Sequence, residues 1–329
     1  MVGCALPDDG ADPVDGTTND DPAPECIDLD GCLEQETEPA EGDERVVDDT
    51  MIEEDTTADP RTGDGKTAAA VQWLMDADVR KRPPQGIWKI GARYLVTQDS
   101  DGNNDDDEFR LYLRAADGDH IRGWEKPYGS HGQTVFVERR ADNDFNFYTS
   151  SKSTLGVVRF RLGADLKTLS GSGHVITPKG PEGGTAKGVV AFDRDADIAA
   201  VCGYTSPSTP GNEARRIRFY AMGDYLDGVL TKVARPVVFE AGHLGSLQGC
   251  GVHDGKAYML LGNDDPGRRK WIYRVNIATG AVKRREITVD KQGADKYEPE
   301  TLYAQNGEII FGIYKGKNTD SRFYRMDPF

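Results

Sequence analysis

The sequence predicts an all-β chain: a five-bladed β-propeller over residues 66–329, behind an acidic, largely irregular N-terminal tail over residues 1–65. Three observations predict it. The tail is strongly acidic and nearly free of aromatic residues. From about residue 70 the texture changes to short apolar alternations separated by Gly, Asp, Asn and Pro clusters, the signature of many short strands with turns between them. Two independent sets of sequence markers then recur five times with matching spacing.

The tail comes first. Residues 1–65 hold 22 of the 56 acidic residues and only two bases, Arg45 and Arg61, a net charge of −20 against +4 for the remainder. Such a stretch buries too little apolar area to offset its chain entropy, so it reads as a tether, either disordered or ordered on a partner. The folded part has no basic run beyond short groups such as Arg139–Arg140 and Arg268–Lys270, which argues against nucleic acid as a partner. No apolar run is long enough to span a membrane. The chain as given shows neither the basic n-region nor the h-region of a secretory leader. Met1-Val2-Gly3-Cys4 is similar to a lipoprotein cleavage site, which matters only if a longer precursor carries an apolar stretch upstream. Cys26 and Cys32 can close a small loop in an oxidising compartment. Cys202 and Cys250 lie in apolar strand patterns and are expected to be buried thiols. No cysteine or histidine cluster has zinc spacing.

The strands follow. Arg110–Leu113, Val158–Arg161, Ile217–Tyr220, Ile272–Val275 and Phe323–Met326 are aromatic/Arg strands, four of them with a Gly-containing turn behind them. Their markers Tyr112, Phe160, Phe219, Tyr273 and Tyr324 are 48, 59, 54 and 51 residues apart. A period of roughly 40–50 residues or slightly more, with four strands per unit, indicates propeller blades. A β-sandwich does not predict a repeated order of strands. The aromatic/Arg strands read as inter-blade core, with Arg stems covering apolar surface.

Upstream of each aromatic strand lies a segment headed by a polar residue: VQWLMD (71–76), SHGQTVFVE (130–138), AKGVVAFD (186–193), LQGCGVHD (247–254) and YEPETLYAQ (297–305). Positions 72, 131, 187, 248 and 298 are 59, 56, 61 and 50 apart, close to the aromatic spacing. If these segments are the innermost strands, their N-terminal ends surround the central channel at one face. Gln72, His131, Gln133, Lys187, Gln248, Glu298 and Glu300 then converge at a channel mouth, and convergent polar groups in a pocket are the default signature of a binding site.

Each group also has a plainer reading. His131 and Gln133 can hydrogen-bond a sugar hydroxyl or a phosphate, or equally the backbone of their own turn. Glu298 and Glu300 alternate along a strand and can face the same way. As a pair they can be a glycosidase acid and base, bind a cation, or pair with Lys187, the reading favoured here. Asp99, Asp101, Asn103, Asp105 and Asp107 have EF-hand-like spacing, which raises Ca2+ as a ligand. Asn104 and Arg110 stand where that loop needs Gly and Glu, so a solvated hairpin loop is the simpler reading.

These segments resemble a propeller family that includes the receptor-binding protein of a staphylococcal podophage and the so-called teichoic acid biosynthesis protein C, with helveticin-like bacteriocins as more distant relatives. The similar stretches are QWLMD, YLVTQD (94–99), SHGQTVFVER, LQGCGVHDGKAYMLLG and YEPETL, in shared order over residues 70–329. Thr301 stands where the family has Gly, Trp124 where it has an aliphatic residue, and VRKRPPQGIWKI (79–90) reads as an insertion that lengthens the first blade. The resemblance implies recognition of a host envelope, a cell-wall polysaccharide or teichoic acid, and no established catalytic mechanism. The expectation is therefore a non-catalytic receptor-binding protein or adhesin on a virion tail, present in several copies. Its acidic N-terminus would dock to a structural tail protein. The alternatives are a glycan-cleaving propeller enzyme using Glu298 and Glu300, and a secreted or lipid-anchored bacteriocin-like surface protein.

Overall fold

The structure of the protein is a computed structural model that describes residues 44–54, 71–76, 83–99, 108–128, 132–150, 156–180, 188–204, 214–240, 246–263, 269–287, 297–314 and 321–329. The first three strands are short: β1 (Arg45–Val47), β2 (Glu53–Glu54) and β3 (Gln72–Asp76). Blade 1 follows, with β4 (Pro84–Ile90), β5 (Arg93–Asp99), β6 (Glu108–Arg114) and β7 (His120–Tyr128). Blade 2 holds β8 (Val135–Arg139), β9 (Phe145–Ser150), β10 (Val157–Leu162) and β11 (Leu169–Ile176). Blade 3 holds β12 (Val189–Asp193), β13 (Ile198–Tyr204), β14 (Ala214–Ala221) and β15 (Lys232–Glu240), with a one-turn helix α1 (Met222–Leu226) between the last two. Blade 4 holds β16 (Ser246–His253), β17 (Lys256–Gly262), β18 (Trp271–Asn276) and β19 (Val282–Glu286). Blade 5 begins with β20 (Glu298–Gln305), β21 (Glu308–Tyr314) and β22 (Arg322–Met326).

Each blade is an antiparallel meander. The first strands β4, β8, β12, β16 and β20 touch one another in sequence, and β20 touches β4, so they form a closed inner ring. The protein is a five-bladed β-propeller. The aromatic/Arg segments are the third strands of their blades. In β10, Val158, Phe160 and Leu162 are buried while Arg159 and Arg161 alternate toward solvent, the two-residue period of a strand with one apolar face. β12 is buried along its whole length, as a strand covered on both faces must be.

The fifth blade closes on the chain's other end. Its outermost strand is β3, which pairs antiparallel with β22 (Phe323 opposite Met75, Arg325 opposite Gln72). This corrects the expectation that QWLMD is the inner strand of the first blade. That strand is β4, inside the stretch read as an insertion. Met75 is fully buried, so closure rests on an apolar anchor as well as a hydrogen-bond ladder.

Side chains fill the joints between blades. Along the inner ring, Trp88 meets Phe136 edge-on (centroids 5.1 Å) and Tyr303 edge-on (5.3 Å), and Phe136 meets Phe192 (5.1 Å). This belt joins four of the five inner strands. The fifth, β16, brings glycines instead. A Cβ on Gly249 would lie 2.7 Å from both the Cβ and the N of Leu302, so only glycine lets β16 and β20 approach so closely.

Two features were not expected. Residues 44–54 lie on the outer edges of adjacent blades: β1 adds to β15 and β2 to β19, both in parallel. Glu44 Oε1 is 2.9 Å from Nε of the buried Arg216, Glu53 Oε2 is 2.6 Å from Lys283 Nζ, and Glu54 pairs with Arg284. Ile52 sinks into the core between these blades. Second, Cys202 and Cys250 are not separate thiols. They form a disulfide between β13 of blade 3 and β16 of blade 4, because the blade interface sets their Cα atoms 5.8 Å apart, within bridging range. Cys26 and Cys32 lie outside the described residues.

Candidate functional site

The N-terminal ends of three inner strands share one local device. β4, β16 and β20 each break register with the next strand, between Pro84 and Gly86, Leu247 and Gly249, and Pro299 and Thr301. The extra residues are Gln85, Gln248 and Glu300. A bulge inserts one unpaired residue and re-aims its side chain, which is why bulges gather beside sites. Blade 2 has a related irregularity. Ser150 N–H and Thr149 Oγ1–H donate to the Gln133 carbonyl (3.0 and 3.1 Å), and Thr134, at φ 55°, is squeezed out before β8 begins.

The bulged side chains find one another across blades. Gln85 Nε2 donates to Glu300 Oε2 at 3.3 Å, joining blades 1 and 5. Gln248 Nε2 donates to Glu298 Oε1 at 2.6 Å, joining blades 4 and 5, and to the Gly262 carbonyl at 3.3 Å. Gln85, Gln248 and Glu300 are 2, 6 and 7 % exposed. Burial makes such groups costly unless they are paired, and here each carboxylate has a carboxamide. Capacity remains: Gln85 Oε1 and Thr134 Oγ1 are buried without a hydrogen-bond partner among the described residues. Beside Glu298, the Tyr297 ring carries the Lys270 ammonium 4.8 Å from its centroid. Burial pushes the Tyr297 hydroxyl up to about 12. The cluster is suited to hydrogen-bonding a hydroxyl-rich ligand, with donors and acceptors fixed on strands.

Of the seven expected mouth residues, the structure brings together Gln248, Glu298 and Glu300. Gln133 stands at the head of β8 and contributes its carbonyl to the strand start. His131 and Lys187 lie outside the described residues. Gln72 is elsewhere, exposed on the outer strand of blade 5, where its Oε1 accepts from Arg325 Nε at 3.0 Å. Its place in the ring is taken by Gln85. The signal for it was available: Gln85-Gly86 repeats the Gln248-Gly249 pair at the equivalent inner-strand position. Of the five candidate calcium ligands, Asp101, Asn103, Asp105 and Asp107 lie outside the described residues, and Asp99 ends β5. Among the described residues no cluster of three His, Cys, Asp or Glu is arranged to hold a metal.

No protein-family model matches the chain, and no curated protein matches its sequence. Solved structures do. The tail fibre of a Staphylococcus aureus phage superposes with a TM-score of 0.58 at 14 % identity, over 79 % of this chain and 53 % of the fibre. The present chain therefore spans about half of that protein's length. The exo-β-1,3-galactanase from Phanerochaete chrysosporium bound to galactose aligns with a TM-score of 0.45 at 13 % identity, over 78 % of this chain and 63 % of the enzyme. The GH43_1 enzyme from Xanthomonas citri with xylotriose aligns at 0.46 and 10 %, over 79 % and 90 %. At these identities the tail-fibre likeness is one of fold. No helix among the described residues is long and apolar enough to cross a membrane.

Proposed function

We propose that this chain is a non-catalytic surface-recognition protein, a phage tail receptor-binding protein or adhesin that holds a Gram-positive cell-wall glycan or teichoic acid at the mouth formed by the N-terminal ends of the inner strands. The observation that carries the reading is the pair of interblade links, Gln85–Glu300 and Gln248–Glu298. They tie a carboxamide of blade 1 and one of blade 4 to carboxylates of blade 5 at the strand heads, and the sequence adds His131, Gln133 and Lys187 ahead of the inner strands of blades 2 and 3. Polyol hydroxyls both donate and accept, and this set offers both. Lys187 would meet any phosphate. The fold shared with a tail fibre supports the same reading. A single polar site of this kind binds weakly, and several copies on one particle multiply the strength through effective concentration. The acidic N-terminus would dock the propeller to a structural tail protein.

Co-sedimentation with purified wall polymer tests this. The protein is retained, the polymer keeps its length, and retention falls about tenfold in Gln85→Ala or Gln248→Ala, the worth of one well-made hydrogen bond. Retention unchanged in the double variant overturns the site. New reducing ends that vanish in Glu298→Gln or Glu300→Gln overturn the non-catalytic reading and replace it with a glycan-cleaving enzyme.

A further inference from the structure

The opposite mouth of the channel holds a second constellation, independent of the first. At the hairpin ends of the inner strands, all five blades contribute to a cavity of about 180 Å³ whose walls include Trp88, Phe136, Asp193, His253 and Gln305. We propose that this cavity is a second binding site and that it takes a single neutral polyol ring, the size of one sugar unit. Size sets the first limit. A cavity of roughly 150 Å³ accepts a benzene ring, so this one accepts one six-membered ring and not a chain.

The polar groups set the second limit. Asp193 is already occupied: Oδ1 accepts from Asp195 N–H (3.1 Å) and Ala196 N–H (3.2 Å), and Oδ2 from Asp254 N–H (3.0 Å). It pins the hairpin of blade 3 to that of blade 4 and has little acceptor capacity left for a cation. Arg194 reaches toward blade 2, 3.8 Å from Glu138 and 3.4 Å from the Arg139 carbonyl, so its charge is answered there. Besides the exposed carboxylate of Asp195, what remains is neutral. His253 Nε2 accepts from Gly307 N–H at 3.3 Å, which leaves the ring proton of the neutral imidazole on Nδ1. That Nδ1 is 3.9 Å from Asp193 Oδ2, beyond hydrogen-bond reach, so this donor is unspent. Gln305 is held by Nε2 on the Phe192 carbonyl (3.4 Å), and its Oε1 accepts from no described residue. One donor and one acceptor thus stand at the rim of an aromatic belt. A ring with hydroxyl edges and a C–H face matches that set, and the carboxylates of Asp193 and Asp195 on the wall disfavour a phosphate.

The groups are also fixed in advance. Asp254-Gly255 and Asn306-Gly307 both run at positive φ (53° and 67°, 52° and 72°), the geometry of tight two-residue hairpin turns. A site on such turns loses little entropy when a ligand arrives.

The experiment is an NMR titration of the whole chain with glucose, N-acetylglucosamine and, separately, inorganic phosphate, read at the imidazole of His253 and the indole of Trp88. The proposal expects a saturable shift of both signals with at least one sugar and none with phosphate. It expects about tenfold weaker sugar binding in Gln305→Ala, one hydrogen bond's worth, and unchanged binding in Gln72→Ala, which alters only the exposed outer strand of blade 5. It is overturned by the absence of a saturable shift with either sugar, by saturation with phosphate, or by sugar shifts of full strength in Gln305→Ala. The wild-type titration decides the matter even if a variant fails to fold, and none of these outcomes bears on wall retention at the first mouth.

Discussion

Opening the Cys202–Cys250 bridge gives a sharp test of how the blades are held together. The two cysteines are separated by 48 residues. Releasing a loop of that length returns roughly 14 cal/mol/K of entropy to the denatured chain, about 4 kcal/mol at 25 °C. For domains of about this size each kcal/mol moves the melting midpoint by about 2–4 °C, so reduction should lower it by roughly 8–16 °C. The Cys202→Ala/Cys250→Ala variant should fall at least as far, since truncation at two fully buried positions leaves space as well. The assay is calorimetric melting with and without reductant, beside thiol titration of the denatured, unreduced protein. Of the five cysteines, at most three should titrate. Five reactive thiols, or a midpoint indifferent to reductant, would refute the reasoning. A large loss on reduction that persists in the double alanine variant would show that the reductant acts elsewhere.

Three further outcomes can be measured. Gly249→Ala forces a methyl against the Leu302 backbone and should destabilise the protein by about 1–3 kcal/mol in urea unfolding; an unchanged midpoint would contradict the close packing of blades 4 and 5. Met75→Ala empties a fully buried position on the closing strand and should cost about 2–5 kcal/mol, with a lower melting temperature as the readout. Burial raises the hydroxyls of Tyr258 and Tyr297 from 10.0 to about 12. The folded state therefore holds protons that the unfolded chain has released. That stability is complete below pH 10 and drains away as pH rises through 12, so urea midpoints should drop steeply across that window and tyrosinate absorbance should appear late.

The propeller was legible because its evidence is periodic. The markers Tyr112, Phe160, Phe219, Tyr273 and Tyr324 all proved to be buried third-strand residues, since alternation and spacing are local properties of the chain. The inner strands of blades 2 to 5 were legible for the same reason. Blade 1 was not. Pro83 and Pro84 look like breakers, yet Pro84 begins a strand, a place where a missing N–H is tolerated. Nothing local distinguishes β3 as an outer strand, because its partner β22 lies at the far end of the chain. The disulfide was hidden likewise: it depends on the register of two blades, and in sequence Cys202 and Cys250 look like ordinary core residues. β1 and β2 were hidden by composition. Acidic residues suggest solvent, and here Glu44, Glu53 and Glu54 meet Arg216, Lys283 and Arg284. At the mouth, Gln248, Glu298 and Glu300 were readable as strand heads. Their pairing was not, since bulges turn the side chains toward neighbouring blades.

The segment at residues 44–54 has a mechanical consequence. Tension applied to the chain ahead of it arrives first at β1 along the rim of blade 3, then at β2 along the rim of blade 4, and only afterwards at β3, the seam of the ring. Two anchorages must slip before the seam feels any load. Neighbouring blades that share those anchorages are also riveted to each other by sulfur, so a pull on this end would load a cross-linked pair of blades before it reached the seam.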